Sequence, residues 1–269
     1  MALPNAPCIE GLRPPRSALA VMLESATMVF IRQSVEIFGA TIGFDADLSY
    51  ALLNATGEKL GKAAEHSGCC QRHVLGGRRP FEVIVSAATP GDPPVLRFVR
   101  PYRGSSPGCC WSLQQLRVYS LLEAGGETEL GIVQQQMSCC GGSCCVGPLL
   151  GIHDAQGHEL FTVHGPCIYC DGPCCDITFE VRARGEAVGE IRRHGASLTP
   201  AMDPVGASTP FGDDDECTVG LTMPSGAPIL HRALLLGALM LVDVLYFDAF
   251  GHRDGGLAAV GEKDNAYHY

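Results

Sequence analysis

The sequence predicts a mainly β protein, a closed antiparallel β-barrel of about 12 strands wrapped around a buried hydrophobic C-terminal helix. Three observations point there. The longest apolar run is Ile229 to Phe250, ILHRALLLGALMLVDVLYFDAF. Upstream of it stand many short stretches with the strand period of two, none long enough to be a core on its own. Between them a turn unit recurs, in which an apolar strand reaches Asn or Asp, turns at a Gly three residues later and re-enters an apolar strand. Closure removes exposed strand edges and the helix fills the lumen, so a barrel around the apolar run satisfies all three.

Residues 1–28 read as an N-terminal extension, partly disordered, and 29–250 as a single domain. Two arginines and small apolar residues open the chain, but Glu10 and Glu24 interrupt them, so no secretory leader is expected. Val29 to Glu36, VFIRQSVE, is β-branched and polar by turns and is followed by Gly39 and Gly43, which predicts a first strand and a turn. Hairpins are expected at Asn54 to Gly57 and Asp154 to Gly157, with looser copies at Gly126 to Leu130 and Gly185 to Val188. The intervening strands are Phe81 to Val85, Val95 to Val99, Leu116 to Leu121, Glu159 to Val163, Ile177 to Val181 and Val188 to Arg192. In ITFEV, Ile177, Phe179 and Val181 face inward and Thr178 and Glu180 outward. Leu198 to Ser225, rich in Pro, Gly and Asp, predicts a surface loop, and 251–269 a disordered tail.

Two environments suit the apolar run. As a helix its 22 residues reach about 33 Å, enough to cross a bilayer or to line a barrel. Twelve Leu, Ile, Val and Phe, at about −0.3 to −0.6 kcal/mol each, are set against Asp243 near the centre at about +2.5 to +3.5 and Asp248 near the end. Membrane insertion is therefore marginal, and a helix apolar on every side also fits the centre of a soluble domain. In that setting Leu234, Leu239, Asp243 and Phe247 are core-helix positions, with Asp243 bonded internally.

A net charge of −10 argues against general nucleic-acid binding. A local basic region nevertheless runs through Arg72, Arg78, Arg79, Arg97, Arg100 and Arg103. It is either a solvated face or a site for anionic lipid headgroups, for which Arg78, Arg79, Arg100 and Arg103 are the candidates. No GxSxG, HExxH, GK[ST] phosphate loop or GxGxxG follows any strand, so no catalytic constellation is expected.

With no leader, the fourteen cysteines suggest thiols, lipid carriers or metal ligands rather than a disulfide framework. Cys167-x-x-Cys170, with Cys174 and Cys175, has the spacing of a zinc site, although vicinal pairs also pack turns as small thiols. On the Gly-rich CCGGSCC, the thiols of Cys139, Cys140, Cys144 and Cys145 are suited to palmitate. Asp213, Asp214, Asp215 and Glu216 could offer calcium several hard oxygens, or form an acidic solvated loop; the segment is not an EF-hand.

Taken collinearly from Val29 to Phe250, these residues resemble the phospholipid scramblases, whose domain is related to the tubby C-terminal barrel. The resemblance is carried by Gly43-Phe44, the Asn54 to Gly57 turn, Cys69-Cys70, Arg79-Pro80-Phe81 and Arg100-Pro101. Its most specific piece is GPCIYCDGPCCDITFEV, followed by Gly189 and Ile191 and by LVDVLYFD. Three departures stand out. The family's Pro-rich N-terminal extension is missing, and its dense palmitoylated cysteine run is reduced to Cys109-Cys110-Trp111. In its calcium segment only Asp215 matches, with Cys217 where a second Asp is expected.

The resemblance implies ATP-independent, calcium-responsive movement of phospholipids between leaflets by a membrane-associated protein on a cytoplasmic face. A second reading is an anionic-lipid-binding adaptor, or a structural subunit meeting protein partners in a larger assembly.

Overall fold

The computed structural model describes residues 17–34, 48–66, 79–103, 113–121, 125–136, 148–166, 177–194 and 218–247. Twelve antiparallel strands close on themselves in the order β1-β12-β11-β10-β9-β8-β7-β6-β5-β4-β3-β2. Apart from the closing β1–β12 pair, each strand pairs with its neighbours in sequence. The strands are β1 (Met28–Ser34), β2 (Leu48–Asn54), β3 (Lys59–His66), β4 (Phe81–Ala87), β5 (Pro94–Arg100) and β6 (Gln115–Leu121). They continue as β7 (Glu127–Gln136), β8 (Leu149–Asp154), β9 (Glu159–His164), β10 (Thr178–Ala183), β11 (Glu186–His194) and β12 (Thr218–Thr222).

Side-chain alternation decides which face is inside. In β4, Phe81, Val83, Val85 and Ala87 are buried while Glu82, Ile84 and Ser86 are partly exposed. The expected hairpins share one device. Asn54 Oδ1 accepts from the backbone N–H groups of Thr56 and Glu58, both at 2.9 Å, and Asp154 Oδ1 does the same for Gln156 and His158. Each turn then needs a left-handed residue, supplied by Gly57 at φ 82° and Gly157 at φ 87°.

The apolar run takes the barrel interior rather than a bilayer. Helix α2 (Ile229–Val242) buries every residue from Arg232 to Val242, with Leu234 at 1 % and Leu239 at 0 % exposure. It is shorter than the 22 residues the apolar composition suggests, because at Asp243–Phe247 the chain widens into a π-helical turn. Fourteen helical residues rise about 21 Å, close to a seven-residue strand, so helix and wall match in height. Asp243 is half-buried, and Phe247 packs edge-on to Phe179 with centroids 5.8 Å apart.

A short helix, α1 (Ala18–Leu23), lies in the stretch expected to be an extension and closes one end of the barrel with Leu19, Met22 and Leu23. Arg232 ties it down. Its Nη1 donates to the carbonyls of Leu23 and Ala26, both at 2.8 Å, and its Nε to Ala227 at 2.9 Å. This end carries the tight turns and is called the turn rim. At the opposite end, the loop rim, 35–47, 67–78, 104–112, 137–147, 167–176 and 195–217 join consecutive strands, and α2 ends there.

Helix and wall come close at Gly237, where an added Cβ would lie 2.7 Å from Val118 Cγ2. Valine is stiff at χ1, so Gly237→Ala forces an overpacking cost of about 1–3 kcal/mol against a helix-propensity gain of about 1. The variant is expected to melt below wild type. Adding Val118→Ala should recover part of the loss, with a coupling of at least about 0.5 kcal/mol in a double-mutant cycle; simple additivity would contradict the close approach.

Candidate functional site

Polar chemistry inside the barrel gathers under the loop rim. Strand β3 turns Gly61, Ala63 and Glu65 inward, and the two small residues leave room for the carboxylate. Arg79, just before β4, reaches it side-on, Nε to Oε1 at 2.7 Å and Nη2 to Oε2 at 2.9 Å. The two are 3 % and 0 % exposed, and Tyr50 donates its hydroxyl to Glu65 Oε2 at 3.4 Å. A bidentate, desolvated guanidinium–carboxylate pair fixes the start of β4 against β2 and β3.

Arg100 lies beside them at 1 % exposure. Its Nη2 donates to Gln114 Oε1 at 2.8 Å and its guanidinium stands 5.5 Å from the Phe81 ring centroid. Among the described residues its Nε and Nη1 find no hydrogen-bond partner. Burial, and then the neighbouring Arg79, lower its pKa to about 10, which still leaves it charged at neutral pH. From Gln114 a chain of bonds leads to the core helix: its N–H donates to Gln135 Oε1, and Gln135 Nε2 donates to the Tyr246 hydroxyl, both at 3.2 Å. Burial pushes that hydroxyl up to about 12. The helix end is thus bonded to the wall where the strands finish.

This placement corrects part of the basic face expected from sequence. Arg79 and Arg100 are interior, because the wall positions they occupy face a carboxylate and an amide. Arg103 is half-buried, donating to Leu113 O at 3.1 Å and Gln115 Oε1 at 2.6 Å. Arg97 stands on the outer wall between Glu82 and Glu127. Arg78 lies outside the described residues, as do Asp213, Asp214, Asp215 and Glu216. So do the lipidation candidates Cys109, Cys110, Cys139, Cys140, Cys144 and Cys145 and the zinc candidates Cys167, Cys170, Cys174 and Cys175. Among the described residues no three His, Cys, Asp or Glu side chains gather as a metal site would require.

Sequence reasoning missed Glu65 and the rim arginines Arg32, Arg192 and Arg193. The signal for Glu65 is its phase: in KAAEH it shares the inward parity of Ala63, and an inward carboxylate demands a cation. Outside, the wall carries Arg117 with Glu129, Arg182 with Glu180 and Lys62 with Asp92. Such a surface suits water; a lipid-facing barrel wall carries an apolar band.

A closed twelve-stranded barrel that encloses its own C-terminal helix is a tubby-like barrel. Within that class the chain belongs to the Scramblase family, whose model matches residues 11–249. It is 26 % identical to phospholipid scramblase 1 of Homo sapiens over 86 % of this chain, spanning 66 % of that protein's length. To phospholipid scramblase 2 of Bos taurus it is 27 % identical, over 84 % of this chain and 70 % of the relative. To phospholipid scramblase family member 5 of Homo sapiens it is 24 % identical, over 84 % and 76 %. No solved structure matches the chain.

The two buried arginines should respond differently to neutral replacement. Arg79→Met strands the Glu65 carboxylate and is expected to cost about 3–5 kcal/mol. Arg100→Met strands no charge, costs one hydrogen bond to a neutral amide and removes a repulsion, so its cost in a urea titration should be smaller by at least about 2 kcal/mol. Equal losses would mean that Arg100 has a counter-charge.

Proposed function

We propose that this protein is a phospholipid scramblase acting at a cytoplasmic membrane face, moving phospholipids between leaflets without ATP and in response to calcium. The observation that carries the reading is the collinear family match over 11–249, with relatives whose names specify phospholipid. Asp213 to Glu216 are the proposed calcium ligands, with Cys217 interrupting the acidic pattern. Cys109, Cys110, Cys139, Cys140, Cys144 and Cys145 are the proposed palmitate acceptors, two acyl chains being about what stable anchoring requires.

The headgroup route in this reading runs outside the barrel. A lipid headgroup needs a polar path through about 30 Å of hydrocarbon. Helix α2 occupies the lumen, and a wall bearing ion pairs lacks the apolar band of one set in hydrocarbon, so the barrel interior supplies no such path. Those same two features favour the alternative, a lipid-binding adaptor or structural subunit with no transfer activity.

Reconstitution with fluorescent lipid separates the readings. Millimolar calcium should accelerate lipid exchange between leaflets relative to a chelator and to empty vesicles. No acceleration, with protein still bound to the vesicles, leaves the adaptor. Thioester anchoring has its own check: hydroxylamine should release the protein from membranes, and Cys→Ser at the six acceptors should do the same. A membrane fraction unchanged by both treatments rules lipidation out as the anchor.

A further inference from the structure

Arg100 ends β5 with its guanidinium inside the barrel, at 1 % exposure. Nη2 is spent on the Gln114 amide oxygen at 2.8 Å, and the guanidinium carbon stands over the Phe81 ring, 5.5 Å from its centroid. Nε and both hydrogens of Nη1 are left, sealed from solvent and without an acceptor among the described residues. Buried N–H groups in native interiors are paired with protein, water or an ion, and leaving one bare on a charged group is costly.

The charge is uncompensated as well. The buried ionised side chains described under the loop rim are Arg79, Arg100 and Glu65, two guanidiniums against one carboxylate. Glu65 is bonded side-on to Arg79, and at Arg100 the repulsion from Arg79 outweighs the attraction to Glu65. Asp243 has a partner of its own, and the C-terminal dipole of α2 answers with only about half a charge. Burial and Arg79 lower the Arg100 pKa only to about 10, so it keeps its proton at neutral pH. A charge that persists in a low-dielectric interior calls for a counter-ion, and a water, which can satisfy N–H groups, does not supply one.

A neighbouring group offers a further donor. Gln135 Nε2 donates to the Tyr246 oxygen at 3.2 Å, which leaves the phenol its own O–H to give. Tyr246 lies near enough to Arg100 for the two to act on each other electrostatically. An acceptor that brings no hydrogens of its own suits such a set.

We infer that the barrel interior under the loop rim holds a small monovalent anion of halide size on the Arg100 guanidinium. Enclosure selects the size, because a guanidinium at 1 % exposure is closed to a headgroup or a nucleotide. The excess of one buried positive charge selects the valence. The ion sits where the end of β5 meets the Gln114–Gln135–Tyr246 chain, so it helps fasten the π-helical turn to the wall. An exchangeable ion departs with the guanidinium it neutralises, so Arg100→Met still strands no charge. The inference does not depend on the lipid reading above.

Thermal melts of the full chain at constant ionic strength, with sodium chloride replacing sodium gluconate, test it. At tenfold excess over its dissociation constant, chloride should raise the melting temperature by about 3–5 °C, and the rise should follow the concentration dependence of a single site. Bromide should act as chloride does. Arg100→Met should abolish the difference between the two salts, while Arg97→Gln, which removes a paired guanidinium from the outer wall, should keep it. A measurement on the wild type alone makes the same distinction even where Arg100→Met fails to fold: crystals grown in bromide should show an anomalous peak in contact with the Arg100 guanidinium. Equal melting of the wild type in chloride and gluconate, a rise retained in Arg100→Met or lost in Arg97→Gln, or a water in place of bromide at Arg100 would overturn the inference.

Discussion

Everything in this barrel depends on the lumen being filled by one apolar helix. Twelve strands turn inward a ring of fully buried side chains, among them Phe98, Leu116, Val133, Ile152 and Phe179, and α2 is what they meet. Burying each such side chain contributes about 1.5–3 kcal/mol. The helix must be apolar on all sides because wall surrounds it, and it must contain Gly237 because the wall comes too close there for a side chain. The same demand explains why the run satisfies the length and composition of a membrane span while being largely enclosed by protein. A lumen and a bilayer core impose similar hydropathy on a single helix.

A filled lumen leaves polar groups only its two ends, and each end is fixed by an arginine answering a specific need. At the turn rim Arg232 bonds backbone carbonyls that follow α1 and precede α2, tying the two together. At the loop rim Arg79 answers the buried carboxylate of Glu65, and the Gln114–Gln135–Tyr246 chain couples the helix end to the wall. Both clusters join parts of the chain far apart in sequence, so they act on closure of the barrel rather than on any one hairpin.

The fold was legible because its signals are local. Alternation in FEVIV and the Asn54 and Asp154 turns each act within a few residues, and closure follows from many short strands with one long apolar filler. The interior arginines were not legible as such. Arg79 and Arg97 look alike in sequence, and only strand register puts one against Glu65 inside and the other between Glu82 and Glu127 outside. A basic stretch on adjacent strands therefore reads as one face when it is two. Helix α1 was missed because six residues give too short a period to count; its role is visible only through its contact with Arg232.

The asymmetry between the rims follows from the same construction. Five of the six short connections at the turn rim are fully described, and they leave little chain to carry chemistry. At the loop rim the connections are long, and all of the fourteen cysteines except Cys8, together with Asp213 to Glu216, lie in segments that join strands there. A scaffold with a plugged interior and a charged outer wall has its long loops at one end only. The proposed acyl chains and the proposed calcium ligands would then act on the same patch of membrane, while the barrel behind them serves to hold those segments side by side.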